Sequence, residues 1–436
     1  MMNTSKFFSV LEKKILPVAS KIGNQRYMMV LRDAFSVIMA ALIAGSLATL
    51  INNFPVPAFQ TFMLKTFGKA WLIPGTYIYN CTMGILGLLV VISIGYYLGR
   101  SYKLDGISTA FVATISYLIL SPVTKDGGLD LNWIGAKGLF LAMIVGILSV
   151  EAFRWVVKRG WTFKMPEGVP PAVAEGFVAL IPSMLIFLIA GLLTAVISSV
   201  SNGMSATELM YQGLQAPFQK IGDTWPAVIF LMTIRGGLWF FGIHGTNVMG
   251  PITNSVMLPN MEANMKAFAN GVSAYEVPKI ATTSFTDVFV SMGGTGVGLA
   301  LAVAILMISR NKANRDLTIG ALPAALFNIN EPLIYGIPVV LNVTLFIPFL
   351  LAPIVTVSIA WVAMSLGIVP RTVAMVPWNM PIGIGGYLAT GGSIRGSILQ
   401  IVNLIVSVFI YLPFIRINDK IMSKQAEIEN RMMQDD

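Results

Sequence analysis

Seven stretches of this chain, residues 34–52, 73–99, 106–124, 177–200, 288–309, 341–368 and 396–415, contain no Asp, Glu, Lys or Arg. Each is about 19 residues or longer, enough to cross a hydrocarbon core of roughly 30 Å as helix. Lipid offers no partner to an open backbone group, so helices, whose bonds are internal, are what such runs must form. A membrane β-barrel would show ~10-residue strands of alternating polarity instead, and no such pattern is present. Only 11% of the 436 residues are charged and 56% are hydrophobic, whereas soluble domains carry about 25% charged residues. The expected fold class is therefore all-α, a polytopic membrane protein.

Spans are predicted near 28–51, 74–98, 104–123, 134–157, 173–200, 225–243, 244–258, 283–309, 341–368 and 394–415, about ten crossings, with a polar amphipathic stretch at 202–222. The segment 244–258 is the weakest, being short and holding Pro251 and two Asn. With the N-terminus inside, Arg100, Lys103, Lys158, Arg159, Lys164, Arg310, Lys312, Arg315, Arg416, Lys420 and Lys424 all fall on the cytoplasmic side. The loops 52–72, 124–132 and 259–282 fall outside. This is the positive-inside pattern, and it explains a net charge of +9 without nucleic acid. Residues 5–22 alternate Phe7, Phe8, Val10, Leu11, Ile15, Leu16 and Val18 with lysines, a helix suited to an anionic leaflet or to a soluble partner's surface. No secretory signal is expected, because the basic start lacks a short apolar stretch with a small-residue cleavage site. Cys81 is alone in an apolar run and reads as a small core residue.

Two stretches are too apolar for ordinary loops and too broken for spans. Residues 318–340 hold Pro323, Pro332 and Pro338 around Glu331; residues 370–393 hold Pro370, Pro377 and Pro381, then five glycines. Both are expected to be re-entrant hairpins, since irregular backbone at membrane depth must be surrounded by protein or line a cavity. Such breaks point to a transporter's substrate site. Residues 1–200, mostly continuous spans, are assigned to scaffold and oligomer contacts, and residues 201–436 to substrate binding and transport.

Glu331 and His244 are the leading candidates for substrate contact. A carboxylate at membrane depth is costly and is commonly functional; it accepts the paired hydrogen bonds that sugar hydroxyls offer. Glu331 could alternatively bond nearby backbone or pair with Arg235. His244, the only histidine, sits at a helix break in Gly242-Ile243-His244-Gly245. A neutral imidazole donates from one nitrogen and accepts at the other. It could alternatively be a packed residue satisfied by a carbonyl. Trp239 and Trp378 are candidate platforms for a pyranose face, or members of an interfacial belt. Asn247, Asn330 and Asn379 could add amide contacts. Arg235 and Asp287 are expected to pair or to line a polar cavity. One histidine and one cysteine make no zinc site, and no cofactor is expected. Gly293-Gly294-Thr295-Gly296 lacks the lysine of a nucleotide loop and reads as small-residue helix packing.

These motifs resemble the membrane-embedded IIC component of the phosphoenolpyruvate-dependent sugar phosphotransferase system, lactose/cellobiose/diacetylchitobiose branch. The matching residues are Met165-Pro166-Glu167-Gly168-Val169-Pro170-Pro171-Ala172-Val173 leading to Leu180-Ile181-Pro182, then Gly242-Ile243-His244-Gly245, Asn328-Ile329-Asn330-Glu331-Pro332 and Pro377-Trp378. The resemblance covers nearly the whole chain. It implies a homodimer in a bacterial cytoplasmic membrane, with ten spans, two re-entrant hairpins, a dimerising first half and a sugar chamber in the second. It implies that Glu331 and His244 contact the sugar, with Glu331 near the hydroxyl to be phosphorylated, and that Trp239 and Trp378 pack on it. Phosphate would come from a soluble IIB protein, with IIA upstream. Neither is expected within this chain, whose tail after Ile415 is too short to fold alone.

The function expected is translocation of a disaccharide and its presentation to IIB. The rival is a proton-coupled sugar transporter with Glu331 as proton carrier. A glycolipid-cleaving membrane enzyme would need a second carboxylate beside Glu331, and the broken segments hold none.

Overall fold

A computed structural model describes residues 25–54, 57–124, 126–163, 171–337, 339–340 and 342–435. The amphipathic segment 5–22, the stretch 164–170 with Met165–Pro170 of the Met165–Val173 motif, and Pro338 lie outside the described residues.

The longer helices of the first half are α1 (Arg26–Asn52), α2 (Pro57–Phe67), α3 (Ile73–Asn80), α4 (Leu86–Ser101), α5 (Gly106–Leu120), α6 (Leu139–Lys158) and α7 (Pro171–Val200). Polar residues punctuate them. Gln25 caps α1 by accepting from the Met28 N–H, and Asp105 caps α5 by accepting from the N–H groups of Ile107 and Ser108, satisfying donors that a helix start leaves open. The second half holds α8 (Trp225–Phe240), α9 (Gly245–Ala269), α10 (Thr283–Phe289), α11 (Gly298–Ile308), α12 (Lys312–Leu326), α13 (Glu331–Gly336), α14 (Val343–Ser365), α15 (Ile384–Ala389) and α16 (Ile394–Asp435). The stretch 202–222 folds as short helical pieces, the first fixed by a capping box between Ser205 and Glu208.

Among the described residues, six helical runs are long and apolar enough to cross a membrane, and Gly106–Leu120, Trp225–Phe240 and Gly298–Ile308 are shorter apolar helices. Phe35, Leu42, Leu86, Val90 and Ile94 of α1 and α4 form one buried core, which also takes in Leu258 and Met261 of α9. A second core joins Leu299, Leu301, Leu333, Ile334, Phe349 and Tyr411.

Several expectations are corrected. The span 74–98 is interrupted at Cys81–Ile85, where α3 ends and a tight turn restarts the chain into α4; Cys81 at that break is exposed, not a core residue. Helix α9 runs on to Ala269, so the first part of the loop assigned to 259–282 is helical and only 270–282 is irregular. Its polarity hid it: Asn260 and Asn264 point inward, donating amide protons to the carbonyls of Ala281, Lys279 and Thr372. The span 283–309 is not continuous. Gly293, Gly294 and Gly296 all have positive φ, as does Val297, and the chain loops there between α10 and α11 instead of packing as a small-residue helix.

The loop between α12 and α13, and the extended stretch 370–382 before α15, stay as irregular backbone. Side chains satisfy much of it, as a low-dielectric setting requires. Gln400 of α16 accepts from the N–H groups of Gly383 and Gly386 at 2.8 and 2.7 Å and donates to Val288 O at 2.8 Å. Asn403 donates to Phe289 O, and Ser284 to Ala374 O, each at 2.9 Å.

Candidate functional site

The breaks in α8–α9, α10–α11, α12–α13 and 370–382 converge on one cavity of about 430 Å³, the size range of small-molecule sites. Arg235, Trp239, His244, Asn247, Asn330, Glu331 and Trp378 all line it, together with Asp287. Asn379 is not among the lining residues.

His244 is the N-cap of α9. The Asn247 backbone N–H donates to its Nδ1 at 3.2 Å. Nδ1 is thereby an acceptor, and the ring proton of the neutral imidazole resides on Nε2. Nε2 lies 3.1 Å from Glu331 Oε1 and donates to it. Glu331 is the first residue of α13, where the helix dipole favours a negative charge. Its Oε2 is buried and has no hydrogen-bond partner among the described residues. The pair therefore leaves one carboxylate oxygen short of a donor.

Arg235 does not pair with Glu331. Its Nε donates to Thr246 Oγ1 at 3.0 Å and its Nη2 to Ser291 Oγ at 3.1 Å. Thr246 in turn meets Thr295 Oγ1 at 3.1 Å. Asn330 is only 3% exposed and donates to Thr295 O at 2.7 Å. It is clasped by glycines: a Cβ on Gly294 would lie 2.4 Å from Asn330 Cγ, and one on Gly298 2.7 Å from its Nδ2. The glycine loop thus sets the peptide that precedes Glu331.

The two tryptophans differ. Trp239 is 1% exposed and lies tilted against His244, with ring centroids 4.4 Å apart and the planes 48° from parallel. Trp378 is 51% exposed, and its carbonyl accepts from Asn328 Nδ2 at 2.6 Å.

Sequence reading passed over Asn328, Ser291, Thr246 and Thr295. Asn328 is left-handed, with φ of 62°, and accepts from the Gly293 N–H at 2.6 Å; a polar residue between broken segments was the available signal. It also passed over Arg32, Ser36 and Met39 of α1, which line the cavity from the first half.

A multi-span helical protein whose interrupted segments enclose a polar, aromatic-flanked chamber is a carrier for a polar solute. The family model for "Phosphotransferase system, EIIC" matches residues 32–353. The chain is 37% identical to the lichenan permease IIC component of Bacillus subtilis over 95% of this chain and 94% of that protein. It is 36% identical to the cellobiose-specific EIIC component of Geobacillus stearothermophilus, over 97% and 96%. Its fold matches the crystal structure of the transporter ChbC, the IIC component of the N,N'-diacetylchitobiose-specific phosphotransferase system, with a TM-score of 0.90 and 34% identity over 96% of this chain and 99% of that one. The chain belongs to the EIIC family of phosphotransferase-system sugar permeases, which are membrane-embedded, multi-pass bacterial proteins that work with IIB and IIA partners. That membership favours phosphoryl-coupled uptake over the proton-coupled alternative.

Proposed function

We propose that this permease takes up a β-linked disaccharide of the cellobiose or diacetylchitobiose type and holds it in the chamber for phosphorylation by IIB. The observation that carries this reading is the His244–Glu331 contact at 3.1 Å, with the second Glu331 oxygen unpartnered. Glu331 accepts from the sugar hydroxyl that becomes phosphorylated. His244 holds the carboxylate in place and contacts the sugar. Trp378 offers its exposed face to a pyranose ring, while Trp239 backs the imidazole and meets the sugar at its edge. Arg235, Asn247 and Asn330 complete the polar wall.

The chain crosses the membrane ten times, with 318–340 and 370–393 as re-entrant hairpins and both termini in the cytoplasm. The first half forms a homodimer, and the second half moves against it. Phospho-IIB docks on the basic cytoplasmic stretch 154–164, in part because Lys158 and Arg159 end α6 beside the exposed Trp155 and Trp161. Phosphorylation inside prevents rebinding for export and supplies direction without an ion gradient.

Binding of cellobiose, diacetylchitobiose and lactose to purified protein, repeated with Glu331→Ala, tests the reading. One sugar is expected to bind in the wild type and to lose about tenfold to a hundredfold in affinity in the variant, as loss of a charged hydrogen bond implies. Equal binding of every sugar by both proteins would remove Glu331 from the site.

A further inference from the structure

A second cavity, of about 380 Å³, lies among helices of the first half and shares no lining residue with the chamber. Val37 of α1, Ile92 and Tyr96 of α4, and Ile107, Ala110 and Phe111 of α5 wall it. Its outer rim is open: Phe111 is 64% exposed and Ile107 60%. Four hydroxyl-bearing residues line it, Ser93, Tyr96, Tyr97 and Thr114, and three of them have partners. Ser93 donates to Leu89 O at 2.9 Å and Thr114 to Ala110 O at 2.7 Å, and the Tyr96 hydroxyl accepts from Arg100 Nη1 at 2.9 Å. A groove walled mostly by hydrocarbon, with little polar surface, favours an acyl chain over a sugar or peptide backbone.

The Tyr96 end of the groove has a different character. Arg100 stands there in the last turn of α4. Gly106 lets its stem and the Tyr96 ring lie against the start of α5; a Cβ at that position would come within 2.9 Å of both. Among the described residues no carboxylate is within ion-pair distance of Arg100. The neighbouring acid, Asp105, accepts instead from the backbone of Ile107 and Ser108. An uncompensated guanidinium at the mouth of a hydrocarbon-lined slot, at the end of a membrane helix, matches a phosphate attached to an acyl chain.

We propose that the α1–α4–α5 groove is a binding site for one anionic phospholipid, with an acyl chain along Ile92, Phe111 and Val37 and the headgroup phosphate on Arg100. The site is independent of the sugar chamber, and its test in detergent micelles does not depend on membrane sidedness or on transport.

Native mass spectrometry of the purified chain, titrated with phosphatidylglycerol or phosphatidylcholine, tests it. Phosphatidylglycerol is expected to bind more tightly, and Arg100→Gln to lower its affinity about fivefold, as one cation at a membrane surface is worth about 1 kcal/mol, and to lower that of phosphatidylcholine, whose phosphate is offset by its choline, by less. Val37→Trp, which fills the slot from an exposed position, is expected to weaken both lipids. Equal binding of the two lipids, or no effect of either substitution in protein of unchanged melting temperature, would overturn the proposal. So would disulfide formation between two copies of Phe111→Cys in a Cys81→Ser background, because the groove would then be covered by a second copy of the chain.

Discussion

The backbone N–H of Asn247 settles which nitrogen of His244 faces Glu331, so one side chain both starts a helix and orients the acid. These two roles can be separated. His244→Asn retains a good N-cap but loses the donor to Glu331. It is expected to melt near the wild-type temperature while sugar phosphorylation falls about tenfold to a hundredfold. His244→Ala should lose the cap as well, at about 1 kcal/mol of stability. Thermal melts beside phosphorylation rates check this, and an active His244→Asn protein would contradict it. His244 and Glu331 were legible in the sequence because ionisable groups are rare in broken apolar segments, where each needs a partner or a purpose. Thr295 and Ser291 were not legible, because small hydroxyl residues in an apolar run also bond within their own helix; Asn328, like Asn330, stood in a broken segment and could have been read.

At the scale of elements, the loop Gly293–Gly296 does structural service that its small residues concealed. Positive φ at three glycines lets the chain wrap Asn330, and the Phe349 ring lies where a Cβ on Gly296 would be, 2.2 Å away. Gly294→Ala is expected to cost about 1–3 kcal/mol from strain and overpacking and to weaken sugar binding by shifting Asn330 and Glu331. Gly191→Ala, in a helix with open space around it, should leave sugar binding unchanged and stability unchanged or slightly raised. Melting curves and a sugar titration decide. Continuous apolar helices such as α1, α5 and α14 were placed within a few residues, because lipid exposure imposes one pattern on them. The broken elements were placed less well. Helix α9 carries Asn and Glu because it is surrounded by protein, so hydropathy undercounts it, and the break at 290–297 is as apolar as the helices beside it.

Across the whole molecule, a few polar contacts tie the two halves. Ser46 accepts from the Met375 N–H, Tyr79 donates to Glu262 Oε1 at 3.2 Å, and Lys266 Nζ reaches Asn132 Oδ1 at 3.2 Å. If the second half moves against the first, these contacts must break in each cycle. A Tyr79→Cys, Glu262→Cys pair in a Cys81→Ser background is expected, once bridged by a bifunctional thiol reagent long enough to replace the two side chains, to bind sugar but not to transport it; transport by the bridged protein would contradict the movement. The most direct test of the central claim uses vesicles reconstituted with the purified chain and loaded with phosphoenolpyruvate and the general phosphotransfer proteins, IIA and IIB. With these present, the disaccharide should accumulate inside only as its phosphate ester, and none should accumulate when IIB is omitted. Accumulation of free sugar on a pH gradient, without IIB or phosphoenolpyruvate, would contradict the account.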